Sequence, residues 1–264
     1  MKRLPLILTA AFSLLALLAS PAAASHSWGG YHWARTSNPF TLKVGDNVSA
    51  GWDASLSTAT SDWSKSNVMD LASVPGTSNK RCSMTVGTVQ VCNGTYGNNG
   101  WLGLATINIT GGTHITQGSA KMNDTYFNTA NYNNPNERLH VICQEIGHTF
   151  GLGHTSENGT SQNTCMDYFS NTGANATSTL STHPNQHDYD QLGLIYAHTD
   201  STTTVASATA LPAGMAGRSD VSPFRTVRTD NANHSVIAEY YVDGTTRITD
   251  VLWVDGPRSV VSRG

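Results

Sequence analysis

One helix of this chain has clear sequence signals at both ends, and it constrains the fold more than any other feature. Asn134 is a good N-cap, Pro135 suits the first helical position, and Glu137 follows the cap by three residues. The next apolar residues recur at helical spacing: Leu139, Ile142, Ile146 and Phe150. Because glycine can take the left-handed conformation that ends helices, we predict that this helix stops at Gly151.

The same helix carries polar residues that share one face and continue beyond its end. Gln144 and His148 are four residues apart and therefore point the same way, with Glu145 beside them. His154 can reach the same point if the chain turns sharply, which Gly151 permits. Because catalytic zinc takes three protein ligands and leaves one position for water, this set indicates a metal site. The alternative is a core helix whose histidines only form hydrogen bonds.

The carboxylate of this set has a chemical role in such a site. Glu145 is placed to take a proton from water as general base and to return it as general acid. Binding to a metal lowers the pKa of water to about 7, which makes that proton transfer feasible at neutral pH. The sequence therefore predicts a hydrolase with Zn²⁺ as cofactor, His148 and His154 as ligands and Glu145 as the catalytic residue.

Gln144 stands where a His-Glu-x-x-His helix has its first histidine ligand. Its carbonyl oxygen extends about as far from the backbone as a distal imidazole nitrogen, and oxygen donors bind zinc at about 2.0–2.2 Å. Three interpretations stay open. Gln144 is a direct metal ligand, the site has two histidines and does not catalyse, or another histidine completes the ligands. The histidines considered for that last role are His114, His183 and His187.

These residues resemble the zinc-binding motif of the metzincins, a superfamily of zinc endopeptidases. The resemblance lies in four residues with the spacing Glu-x-x-His-x-x-Gly-x-x-His: Glu145, His148, Gly151 and His154. It covers roughly residues 30–199 and implies a five-stranded twisted mixed sheet, an active-site helix, a backing helix and a small C-terminal subdomain. It also implies a polypeptide substrate bound along an edge strand, which we expect around Gly112 to Gln117.

A second motif supports the resemblance. The segment Cys165-Met166-Asp167-Tyr168 is similar to the Met-turn of the same superfamily. The resemblance implies that Met166 underlies the metal. It also implies that Tyr168 approaches the metal and stabilises the tetrahedral intermediate, as in the astacins and serralysins. The alternative for Tyr168 is a role in core packing.

The remaining periodicity predicts an α/β fold of the α+β type. We expect strands near residues 41–44, 83–92, 101–109 and 114–122, and further helices over residues 52–63 and 185–196. Residues 199–216 are rich in Thr, Ala and Ser without a pattern, which is typical of a linker. Beyond them, an Asp243-Gly244 turn between β-rich runs predicts a small β unit.

The start of the chain has the features of a secretory signal peptide. Lys2 and Arg3 precede an apolar run from Leu4 to Ala19, and the small residues Ala22-Ala23-Ala24 form a cleavage site. We therefore divide the chain into a signal peptide (1–24), a main domain (25–199), a linker (200–217) and a small β-rich unit (218–264).

Four cysteines follow the signal peptide and fit an oxidising compartment. Their positions favour two local disulfides, Cys82 with Cys92 and Cys143 with Cys165, of which the second would tie the metal helix to the Met166 segment. Four free thiols are the alternative, and no Cys-x-x-Cys spacing favours metal binding by these cysteines.

Composition limits the partners. Charged residues make up 12% of the chain and the net charge is −3, without a basic stripe, so we expect no nucleic acid partner. We expect no membrane contact after signal removal, and we expect the protein to be a monomer.

The leading hypothesis for the function is a secreted zinc endopeptidase. The alternative is a catalytically impaired metzincin fold that binds proteins or peptides outside the cell. Glu145 favours catalysis, because a site that has lost activity does not need the base.

Overall fold

The computed structural model describes a mixed α/β fold built on one sheet. It covers residues 25–77, 81–205, 222–230 and 234–254. The predicted signal peptide and most of the predicted linker therefore lie outside the described residues. Within these ranges, nine strands join the sheet and four α-helices are present. None of the described helices is both long enough and apolar enough to cross a membrane.

The strands and helices have the following bounds. The strands are β1 (His32–Trp33), β2 (Phe40–Asn47), β3 (Met69–Pro75), β4 (Thr88–Gly94), β5 (Trp101–Thr110), β6 (His114–Asn123), β7 (Arg225–Asp230), β8 (His234–Tyr240) and β9 (Thr246–Trp253). The helices are α1 (Asp53–Trp63), α2 (Asp124–Phe127), α3 (Pro135–His148) and α4 (Gln186–Ile195), with a 3-10 turn at Gly173–Asn175.

The sheet has a parallel part and an antiparallel part. Its strand order is β3-β2-β4-β6-β5-β9-β8-β7, and β1 pairs with the start of β6. The pairings of β2 with β3 and β4, and of β6 with β1 and β4, are parallel. From β5 onward every pairing is antiparallel. The prediction of a mixed sheet is therefore confirmed.

Helix α3 begins as its sequence predicts. The Asn134 side chain accepts a hydrogen bond from the Glu137 amide at 2.9 Å, and Pro135 is the first helical residue. The regular helix ends at His148, and the chain reverses at Gly151, where φ is +91°. Helix α1 packs against α3, and the Trp63 indole donates a hydrogen bond to the Cys143 carbonyl at 3.1 Å.

Most of the other predicted elements are confirmed within a few residues. Strands β2, β5 and β6 and helices α1 and α4 lie where periodicity places them, and Asn185 caps α4. The strand predicted over residues 83–92 is wrong in its first half, because β4 begins at Thr88. Gly87 before it has a φ of +76°, a turn conformation that strands do not contain. Both predicted disulfides, Cys82–Cys92 and Cys143–Cys165, are present.

The substrate edge expected around Gly112 to Gln117 is wrong. This segment runs from the turn before β6 into the first residues of β6, which pair with β5 on one side and, at His114 and Ile115, with β1 on the other. A strand that is paired on both sides has no free main-chain groups for a peptide. The outer side of β5 pairs with β9, so the strands of the C-terminal unit continue the sheet of the main domain. The division into domains stays a prediction.

Glu137 predicts a pH dependence of stability. Burial raises the pKa of Glu137 to about 7 from an ordinary value of 4.5, although the Asn171 amide and the Ser170 hydroxyl donate to the carboxylate. The unfolded chain loses this proton near the ordinary value and the folded chain near 7. Stability therefore falls as pH rises between these values, by up to about 3 kcal/mol.

A Glu137→Gln variant should lack this contribution. Urea unfolding of both proteins at pH 5 and pH 7.5 measures it, and we expect a smaller loss of unfolding free energy in the variant. An equal loss in both proteins would contradict the assignment to Glu137.

Candidate metal centre

The turn after α3 brings His148 and His154 face to face. Their ring centroids are 4.5 Å apart, at an interplanar angle of 75°. Gly151 makes this turn without a side chain, since a Cβ atom there would lie 1.8 Å from the Tyr31 carbonyl oxygen. The turn predicted from sequence therefore places the two histidines together.

The protonation of both histidines suits metal binding. The Nδ1 atom of His148 lies 2.8 Å from the Leu152 carbonyl oxygen, so Nδ1 carries the proton and Nε2 keeps a lone pair. Burial lowers the pKa of His148 to about 3 and that of His154 well below its ordinary value. The Nε2 atoms of both rings are buried without a hydrogen-bond partner. Neutral imidazoles with free lone pairs are the form that binds metals.

The predicted Met-turn segment lies against the same helix. The Met166 sulfur occupies space below Gly147, where a Cβ atom would come within 2.5 Å of it. The disulfide between Cys143 and Cys165 joins the two segments covalently. Tyr168 stacks on the His154 ring at a centroid distance of 4.2 Å, and its hydroxyl is buried without a hydrogen-bond partner. Met166 therefore supports the helix, and Tyr168 lies in direct contact with a candidate ligand.

The side-chain amide of Gln144 forms a hydrogen bond through its nitrogen only. Its Nε2 donates to the Asp167 carbonyl oxygen at 2.9 Å, which fastens α3 to the Met-turn segment. Its Oε1 is buried and has no hydrogen-bond partner. The geometry thus assigns Gln144 a positioning role through its nitrogen and leaves its oxygen available as a donor.

The three histidines considered as substitutes for Gln144 have partners of their own. His114 Nε2 lies 3.2 Å from Asp200, and His183 is bonded to Asp62. His187 stacks on His26 at 4.7 Å. None of the three belongs to a described group of candidate ligands that contains His148 or His154.

Glu145 is fully enclosed between α3 and β5. Both carboxylate oxygens are buried without a hydrogen-bond partner. Burial raises the pKa of Glu145 well above its ordinary value, and the nearby Asp250 adds to the effect. The carboxylate lies against Gly103 of β5, where a Cβ atom would come within 2.1 Å of Oε1. The absence of a side chain at Gly103 therefore makes room for the predicted base.

Two functional candidates come from the C-terminal strands and were missed by sequence reasoning. Asp250 of β9 offers a carboxylate oxygen within 4.8 Å of ring nitrogens of both His148 and His154. His234 of β8 places its Nδ1 3.1 Å from Nδ1 of His154. The sequence contains one signal for Asp250. Ile248, Asp250 and Leu252 alternate along a strand and therefore share one face, so an acidic side chain lies between two apolar ones.

The donor set fits a divalent cation. Imidazole nitrogens and carboxylate oxygens are the ligands that zinc takes in catalytic sites. Glu145 and Asp250 are two carboxyl groups buried near each other, and a buried carboxyl group either keeps its proton or takes a partner of opposite charge. A bound cation would compensate both and would use the unpaired Nε2 atoms of His148 and His154.

Two other described groups combine histidines with aspartate, namely His26/His187/Asp188 and His32/His198/Asp200. In the second, the Arg35 guanidinium lies 3.0 Å from Asp200, so that carboxylate already has a cation beside it. In the first, Asp188 accepts hydrogen bonds from Thr164 and from the Asn185 amide at the start of α4. The Asp200 carboxylate and one oxygen of Asp188 thus have partners in the local structure, whereas the other oxygen of Asp188 lies 3.6 Å from His26 Nε2 and neither of these two atoms has a hydrogen-bond partner.

No protein-family model matches this chain, and no curated protein has a significantly similar sequence. The class of the site is therefore argued from its residues and their geometry.

Proposed function

We propose that this protein is a secreted zinc-dependent endopeptidase that hydrolyses peptide bonds. The observation that carries the proposal is the pair of buried, unpartnered Nε2 atoms of His148 and His154, whose rings face each other at the end of the helix that also carries the enclosed carboxylate of Glu145. Secretion is supported by the signal-like start of the sequence and by two disulfides, which are typical of oxidising compartments.

The arrangement around the site supports the metzincin-like class. The strands β3-β2-β4-β6-β5 provide five neighbouring strands of a mixed sheet, and α3 packs on β5 and β6. Helix α1 lies against α3 as the backing helix. The segment that contains Met166 passes beneath α3 at Gly147. These are the features that the resemblance in sequence implies.

In this proposal His148 and His154 hold Zn²⁺, and the oxygen of Gln144 is the candidate third ligand of the working site. A bound zinc ion supplies a Lewis acid and lowers the pKa of water to about 7. Glu145 accepts the proton of the attacking water and delivers it to the amine that leaves. The unpartnered hydroxyl of Tyr168 would donate a hydrogen bond to the oxygen that gains negative charge at the peptide carbonyl.

The test is hydrolysis of casein by the purified full-length protein, with and without a chelator. We expect chelation to abolish activity and added zinc to restore it. Activity that resists complete removal of metal would contradict the proposal. Stoichiometric metal without hydrolysis of any polypeptide under any condition would favour the alternative, an extracellular binding protein with an impaired site.

A further inference from the structure

Strand β9 takes the side of β5 where an extended peptide would add to the sheet. It runs antiparallel to β5 and pairs with it from Trp101 to Ile109, so it uses the main-chain groups along this side of β5. Peptide recognition by strand addition needs those groups free. With β9 in place, the strand nearest the candidate metal centre cannot receive a substrate.

The register of the β5–β9 pairing places the Asp250 side chain on the face of the sheet that contacts the candidate metal centre. Gly103 and Ala105 lie on the same face of β5, and Gly103 faces the Glu145 carboxylate. Asp250 is directly opposite Ala105 and therefore projects from the same face of the sheet. This explains why its carboxylate reaches within 4.8 Å of the His148 and His154 nitrogens.

The adjacent strand reinforces the closure. Val236 of β8 is opposite Asp250, and His234 lies on the same face two residues earlier. From there the His234 ring reaches both the His154 ring and, at 3.9 Å, the Asp250 carboxylate. At the same end of the pairing, where Leu252 is opposite His234, the residues Leu252, Trp253 and Val254 line a cavity of about 310 Å³ beside Tyr168. The paired ends of β8 and β9 therefore lie against the centre.

The centre is closed to polypeptides in this arrangement. Glu145 and His148 are each 1% exposed, and Asp250 is 3% exposed. A peptidase must admit an extended chain to its base and its metal. Because Glu145 is buried and β9 covers the side of β5 from which a peptide would enter, the structure corresponds to the closed form of such a site.

We propose that the C-terminal strands β8 and β9 hold the enzyme in a latent state. Strand β9 occupies the substrate side of β5, and Asp250 supplies the carboxylate that completes a His148, His154 and Asp250 ligand set. This inference rests on the proposed peptidase function. Two histidines and a carboxylate form a three-ligand zinc set of the kind that proteins use. In the closed form, Asp250 takes the ligand place of the first histidine that the sequence lacks.

The first test removes the ligand in the full-length protein. Asp250→Leu is compared with Thr249→Ser, which alters the neighbouring residue on the opposite face of β9 and keeps its hydroxyl contact with Thr106. The readouts are zinc affinity, the visible absorption spectrum of the Co²⁺-substituted protein, and casein hydrolysis. For Asp250→Leu we expect a changed cobalt spectrum, zinc affinity about 10-fold weaker or more, and hydrolysis about 5-fold faster or more. Thr249→Ser should match the wild type in all three. Asp250→Asn, which preserves shape, replaces the leucine variant if that variant does not fold.

The second test locks the strand in place. The hydroxyl oxygens of Thr106 and Thr249 are 3.2 Å apart across the β5–β9 pairing, on the face away from the metal centre. A Thr106→Cys/Thr249→Cys protein should therefore form a cross-strand disulfide. We expect hydrolysis to fall to background when this bond is oxidised and to return on mild reduction. Wild-type protein given the same oxidant and reductant is the control.

Three results would overturn the inference. The first is a cobalt spectrum and zinc affinity that do not change in Asp250→Leu. The second is full hydrolysis by the locked protein. The third is loss of hydrolysis in Asp250→Leu with metal retained, since Asp250 would then belong to the working site. If neither the wild type nor any variant hydrolyses peptides, both the proposed peptidase function and the proposed latent state are wrong. In that case the cobalt spectrum still shows whether Asp250 is a metal ligand.

Discussion

Replacing Glu145 with glutamine is expected to slow peptide hydrolysis by about 10² to 10⁴-fold, the range typical for loss of a general base. The side chain is enclosed between α3 and Gly103. Zinc should remain bound, because Glu145 is not a proposed ligand. Steady-state kinetics on a peptide substrate, with zinc content measured on the same samples, provides the readout.

The same substitution should not destabilise the metal-free protein. Glutamine has nearly the shape of glutamate and removes a carboxylate that is buried near Asp250. We therefore expect a melting temperature equal to or above that of the wild type without metal. Asp70→Asn, an equal change of charge at an exposed position of β3, serves as the control and should keep full activity. Unchanged kinetics in Glu145→Gln would remove Glu145 from the mechanism.

Replacing Gly151 with alanine is expected to cause the largest loss of stability. The residue has a φ of +91°, where a non-glycine residue costs about 1–3 kcal/mol. A Cβ atom would also lie 1.8 Å from the backbone oxygen of Tyr31, so the N-terminal segment would have to move. From the backbone strain and the steric clash combined, we expect the free energy of unfolding to fall by about 2–5 kcal/mol. Because the turn sets the distance between His148 and His154, zinc affinity should fall as well.

Gly193→Ala is the matched control for this prediction. Gly193 is an exposed residue of α4, and a Cβ atom there meets nothing within 4 Å. Alanine in a helix is favoured over glycine by about 0.5–1 kcal/mol, so this variant should be slightly more stable than the wild type. Denaturant unfolding of both variants gives the comparison. Equal stability of Gly151→Ala and Gly193→Ala would show that the turn does not have the described geometry.

The parts of this fold that sequence predicts are those determined locally. Asn134, Pro135 and Glu137 lie within four positions of one another, so the start of α3 is encoded by neighbouring residues. The bend at Gly151 is equally local, and with α3 it places His148, His154 and Glu145. Cys143 and Cys165 were paired correctly because the segments that they join are close in sequence.

The parts that sequence did not predict depend on pairing between distant strands. Asp250 meets His148 only because β9 adds to β5, and no local pattern specifies that partner. For the same reason the substrate edge was placed on the first residues of β6, since the sequence does not show that β1 and β5 enclose them. The choice among the remaining histidines was open, because His114 and His183 find Asp200 and Asp62 through tertiary contacts.

The most direct test of the central claim is the zinc stoichiometry of the full-length protein and of two histidine variants after exhaustive dialysis. We predict about one equivalent of tightly bound zinc in the wild type and in His183→Ala, whose ring is half exposed and bonded to Asp62. We predict less than a tenth of an equivalent in a His148→Ala/His154→Ala protein that remains folded, because removing both imidazoles removes the principal ligands. Equal zinc in all three proteins, or none in the wild type after zinc has been supplied, would contradict a metal centre at these two residues.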